Sequence, residues 1–162
     1  MCVIIDMNTL SCVFNPENKE HNEFKSVLDW IEKGKGRIVY GGSKYLTELA
    51  KMTHYRRILI DYGRKRKTIK LDDYKVDQKQ QEIEGIIKHP DFNDSHIVAI
   101  IIVSGCRLLC SKDSSSYPFI RDKTLYPSKF GKVSIYKGTA DKDMLLSWSV
   151  NKLCKRCKEE NR

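Results

Sequence analysis

Short apolar runs closed by polar residues set the strongest limit on what this chain can fold into. Val3-Ile4-Ile5, Ile38-Val39-Tyr40, Arg107-Leu108-Leu109-Cys110 and Val133-Ser134-Ile135-Tyr136 are too brief for helices and rich in β-branched, aromatic or leucine side chains, so they predict strands. Between them the apolar residues change to helical spacing. Phe24, Val27, Leu28 and Ile31 form an i, i+3, i+4, i+7 stripe that ends near Gly34 and Gly36. Tyr45, Leu46 and Leu49 continue it, then Tyr55, Ile58, Leu59 and Tyr62 up to a break at Gly63. Val76, Ile83, Ile86 and Ile87 mark another helix that stops before Pro90. Strands alternating with helices predict an α/β fold, a three-layer α/β/α sandwich around a mainly parallel sheet of four to five strands.

The chain of 162 residues suits one domain, residues 1–162, and is short for two. Met144, Leu145 and Trp148 begin an expected basic C-terminal helix over 139–162. No apolar run approaches the roughly 18 residues of a membrane span, and no charged leader precedes the first strand, so a soluble cytoplasmic protein is expected. Cys2, Cys12, Cys106, Cys110, Cys154 and Cys157 fall within strands and helices, which fits a reducing compartment. Cys154 and Cys157 have zinc-knuckle spacing, but Cys106 and Cys110 lie on a buried strand, and core packing is the preferred role.

Four acids stand where an apolar segment meets a helix or ends as a strand. Asp6 closes the first run, Glu48 lies at the border of the Tyr45–Leu49 face, Asp94 starts an apolar helix ending at Gly105, and Asp113 follows Cys110. An Asp at such a place is also an ordinary helix cap or turn residue. In open α/β sheets, however, ligands bind beyond the carboxyl ends of the strands, and these acids converge there if the runs share one sheet.

In their order these residues resemble the PIN-domain nucleases, which include the toxin halves of VapBC-type pairs. Asp6-Met7-Asn8 matches the family's Asp-x-Asn after the first strand, and Glu48 its Glu on the helix after the second. Asp94 matches its Asp opening a buried helix, and Ser111 with Asp113 its Ser/Thr-x-Asp after the following strand. The matches span most of the chain. Ser114, Ser115 and Ser116 stand where many relatives carry a further Asp or Asn. The resemblance implies a PIN-like fold and an endoribonuclease held silent by an antitoxin or other regulatory protein. It also implies a homodimer.

Clustered carboxylates repel one another unless a cation neutralises them, and an oxygen-only set suits Mg²⁺ or Mn²⁺. Asp6, Asp94 and Asp113 are the expected metal ligands. Glu48 is expected to ligate through water or orient the nucleophile, and Asn8 and Ser111 to support the carboxylates by hydrogen bonds. Charge points to a polyanionic substrate. Lysine and arginine total 30 against 21 aspartate and glutamate, and residues 33–70 hold twelve basic residues with only Glu48 and Asp61 opposing them. Arg56, Arg57, Arg64, Lys65, Arg66 and Lys67, interleaved with tyrosines, are the expected RNA-binding surface, lying next to the acids. Two alternatives stand beside an RNA-cleaving toxin: a nuclease acting on DNA or in RNA processing, and a non-catalytic PIN-like binding module.

Overall fold

The computed structural model describes residues 1–147. Five strands, β1 (Cys2–Ile5), β2 (Arg37–Tyr40), β3 (Thr68–Lys70), β4 (Leu108–Cys110) and β5 (Ser134–Tyr136), form one sheet in the order β3-β2-β1-β4-β5. Every neighbouring pair is parallel. Parallel strands need crossovers long enough to hold helices. These are α1 (Leu10–Phe14), α2 (His21–Glu32), α3 (Ser43–Lys51), α4 (Thr53–Arg64), α5 (Asp73–Ile86), α6 (Ser95–Ser104) and the single turn α7 (Tyr117–Ile120). Helices α1 and α2 pack as one pair and α5 and α6 as another, in the expected three-layer α/β/α arrangement.

The apolar runs become strands because both faces of the sheet are covered. Val3, Ile4, Ile5, Ile38, Val39, Leu108, Leu109 and Ile135 are wholly buried, so unbroken hydrophobicity rather than alternation marks each strand. Helix α6 is buried nearly all round, with Ile97, Val98, Ala99, Ile100 and Ile101 at 0–1 % exposure. It ends at Gly105, whose φ of 72° is left-handed and favours glycine.

Several elements differ from the expectation. Strand β3 lies in the basic segment, where only Ile69 of its three residues is buried; an edge strand this short has no apolar run to announce it. A 3-10 turn over Met7–Thr9 leads into α1, and helix α4 passes through Gly63 to Arg64. Ile86, placed on the apolar face of α5, is 62 % exposed. Thr139–Leu145 is a 3-10 helix that ends before Leu146 and Ser147; residues 148–162 of the expected terminal helix, with Cys154 and Cys157, lie outside the described residues. Cys2, Cys12, Cys106 and Cys110 are buried. Among the described residues no helix is long and apolar enough to cross a membrane.

Candidate metal centre

Strand register brings the first pair of site residues together. Ile4 pairs with Leu109 and Ile5 with Cys110, so the next residues, Asp6 and Ser111, emerge side by side at the carboxyl edge. The Asp6 amide donates to the Cys110 carbonyl at 3.0 Å, extending the ladder by one bond, and the Ser111 hydroxyl donates to Asp6 Oδ2 at 3.0 Å. Behind them the Tyr45 hydroxyl donates to the Ile5 carbonyl at 2.8 Å, pinning α3 to the end of β1.

Asp6, Asn8, Glu48, Asp94 and Asp113 line one cleft of about 440 Å³ at this edge, together with Lys44, Lys51, Met52, Asp91, Asn93 and Ser115. All four acids singled out in the sequence therefore reach the same space. Asp6 and Asp94 occupy N-cap positions, yet neither makes a side-chain cap bond, so local helix capping does not account for them. Asp113 accepts from the Ser115 amide at 3.1 Å and its hydroxyl at 2.6 Å. Asn8 is exposed on the cleft wall, and among the described residues no hydrogen bond joins its side chain to a carboxylate.

The electrostatics are those of a site short of positive charge. Asp6 is 5 % exposed, and its carboxyl is pushed up to about 6, first by burial and then by the charge of Asp94, with Asp113 adding and Ser111 opposing. Burial also raises Asp94, whose neighbour Asp113 adds to the effect while Ser116 and Lys44 oppose it. Glu48 is raised by burial, eased by Lys44 and Lys51 and increased by Asp94. His96 Nε2 stands 3.6 Å from Glu48 Oε2, but burial lowers the ring to about 4, so at neutral pH it is uncharged and does not balance Glu48. Five carboxylates thus face two ammonium groups along the cleft.

Among the described residues no group of three or more His, Cys, Asp or Glu side chains is gathered closely enough to hold a metal ion. Mg²⁺ does not require one. It keeps several waters and takes only one or two carboxylates directly, and the oxygen donors of Asp6 and Asp94 are of the kind it uses.

The basic segment divides in two. Arg64, Lys65, Arg66 and Lys67 precede β3, and Lys67 donates to the Gly34 carbonyl ahead of β2 at 2.7 Å. In a parallel sheet this is the amino edge, opposite Asp6, so the expected adjacency to the acids fails for these four. Charge is legible along a sequence, whereas the intervening strand that carries it to the far edge was not. Arg56 and Arg57 follow the cleft-lining Met52 in the first turns of α4, and neither lines the cleft itself. The basic residues that line the cleft are Lys44 and Lys51, which went unnamed because α3 read as a carrier of Glu48 alone. Their signal was their spacing around Glu48, four before and three after, on one helix face. No family model, curated protein or solved structure matches this chain.

Proposed function

We propose that the chain is a PIN-like, Mg²⁺- or Mn²⁺-dependent endoribonuclease that hydrolyses phosphodiester bonds in the cleft formed by Asp6, Glu48, Asp94 and Asp113. The observation that supports it best is the buried Asp6 carboxyl, made reluctant to ionise by its setting and by two further aspartates, at the carboxyl edge of a parallel sheet. Such a carboxylate is stabilised by a hard cation and by little else present in the cleft.

Asp6 and Asp94 would hold the ion, with Asp113 beside them, and Ser111 fixes the orientation of Asp6. When bound, the cation supplies charge neutralisation for the carboxylates and for the phosphate oxygens as water attacks in line. Glu48, half-buried and raised by its surroundings, would orient that water and accept its proton. Lys44 and Lys51 offer ammonium groups to the flanking phosphates. The choice of RNA, the role as a toxin or defence effector, the regulatory protein partner, the homodimer and the cytoplasmic location follow from the family resemblance and belong to the same proposal.

The test is incubation of the purified protein with total RNA and with single- and double-stranded DNA, each with Mg²⁺, Mn²⁺ or chelator. RNA fragments that need metal and vanish in Asp6→Asn, with RNA binding retained, are expected. Fragments from DNA alone would move the substrate, and fragments from neither pool would leave a binding module.

A further inference from the structure

A second cavity, of about 620 Å³, lies in the connection from α7 to β5, away from the acidic cleft. Arg121, Lys123 and Lys132 line it together with Tyr126, and among the described residues no acid does. Among the described residues none of the three cations has a salt bridge. The nearest acid in sequence, Asp122, is engaged elsewhere: it accepts from the Thr124 amide at 2.9 Å and the Thr124 hydroxyl at 2.7 Å. Gly131, at φ +84°, completes the wall. A Cβ there would meet Arg107 Nη1 at 2.3 Å, so the close approach of that side chain as well as the backbone conformation favours glycine.

The connection is held in place. The Tyr126 hydroxyl donates to the Ile120 carbonyl at 2.6 Å, its ring stacks on Phe130 at 5.1 Å, and the Phe130 amide donates to the Pro127 carbonyl at 2.8 Å. Like charges gathered around a concave space repel, and an anion entering it relieves the repulsion. The space is far larger than a bare phosphate needs, falls within the roughly 300–1,000 Å³ of small-molecule sites, and offers an aromatic wall as well as cations.

We propose that this cavity binds a nucleotide, its phosphate on Arg121, Lys123 and Lys132 and its base against Tyr126, either as a free mononucleotide or as the phosphorylated end of an RNA strand. The site shares no residue with the cleft, so it stands or falls independently of the nuclease proposal.

Calorimetric titration of the full chain in chelator, with adenosine 5′-monophosphate, with a 5′-phosphorylated RNA trinucleotide and with adenosine, tests it. Saturable binding of either phosphorylated probe is expected, falling about tenfold or more in Arg121→Ala/Lys132→Ala and weakening as salt rises. The single variants Lys123→Gln and Lys132→Gln, which keep the size of the side chains, should each lose part of it, and Asp6→Asn should lose none. Binding of the mononucleotide alone identifies a free nucleotide as the occupant, and binding of the trinucleotide alone a strand end. Adenosine binding as tightly as its phosphate, undiminished binding in the alanine variant, or no binding of either phosphorylated probe overturns the proposal.

Discussion

Ser111 donates its hydroxyl hydrogen to Oδ2 of Asp6 at 3.0 Å, joining residues 105 positions apart at the ends of adjacent strands. The bond favours the ionised carboxylate against burial and two neighbouring acids. In Ser111→Ala the carboxyl should be harder to ionise, and the Mg²⁺ concentration needed for half-maximal cleavage should rise about tenfold, in line with the loss of a partner that orients a ligand. Ser111→Thr, which keeps the hydroxyl, should restore most of it. Titration of cleavage against Mg²⁺ distinguishes the two.

Asp6 ties stability to pH in a direction unusual for an acid. Its folded value of about 6 exceeds the ordinary 3.8, so the folded chain holds the proton more tightly and loses stability as pH rises between those values. The loss amounts to about 3 kcal/mol above the window. Asp6→Asn should therefore be more stable than the parent at pH 8 in chelator and equal to it near pH 4. His96 works oppositely: its folded value of about 4 lies below 6.5, so its contribution is lost as pH falls between them. The two offset each other in the parent, and the variant should show the steeper acid loss. Urea midpoints at pH 4, 6 and 8 decide this; a constant gap between parent and variant would refute it.

Lys44 and Lys51 should matter more to cleavage than the larger basic cluster. Replacing both with alanine is expected to raise KM about tenfold and flatten the salt dependence. Replacing Arg64, Lys65 and Arg66 together should change KM less than about twofold, because they sit at the opposite edge of the sheet. Steady-state kinetics on one RNA substrate at two salt concentrations compare them directly.

Removing the Tyr45 hydroxyl leaves the buried Ile5 carbonyl without that donor. Tyr45→Phe should cost about 1–2 kcal/mol and lower kcat if the end of β1 shifts with it. Thermal unfolding and single-turnover cleavage measure the two effects.

The sheet was largely legible because strands buried on both faces are written as unbroken apolar runs. Val3-Ile4-Ile5 and Ile38-Val39-Tyr40 need no context to be seen. Thr68-Ile69-Lys70 is different, since one buried isoleucine among charged neighbours looks the same in a loop. Asp6, Asp94 and Asp113 could be placed at one edge because each adjoins an element whose direction a parallel sheet fixes. The position of the arginines could not, for it depended on recognising β3. His96 was equally hidden: only the packing of α6 against α3 puts its ring beside Glu48.

Helix α5 contributes no side chain to the acidic cleft, yet it holds one wall of it. Asp73 accepts from the Gly42 amide at 2.9 Å, and Asp77 accepts from the Ser43 amide at 2.7 Å and its hydroxyl at 2.5 Å, so the first turn of α3 is fastened from outside its own sequence. The same helix packs along α6, which opens at Asp94. How far Glu48 stands from Asp94 is therefore governed remotely, and substitutions at Asp73 or Asp77 can retune the mouth of the cleft without altering any group inside it.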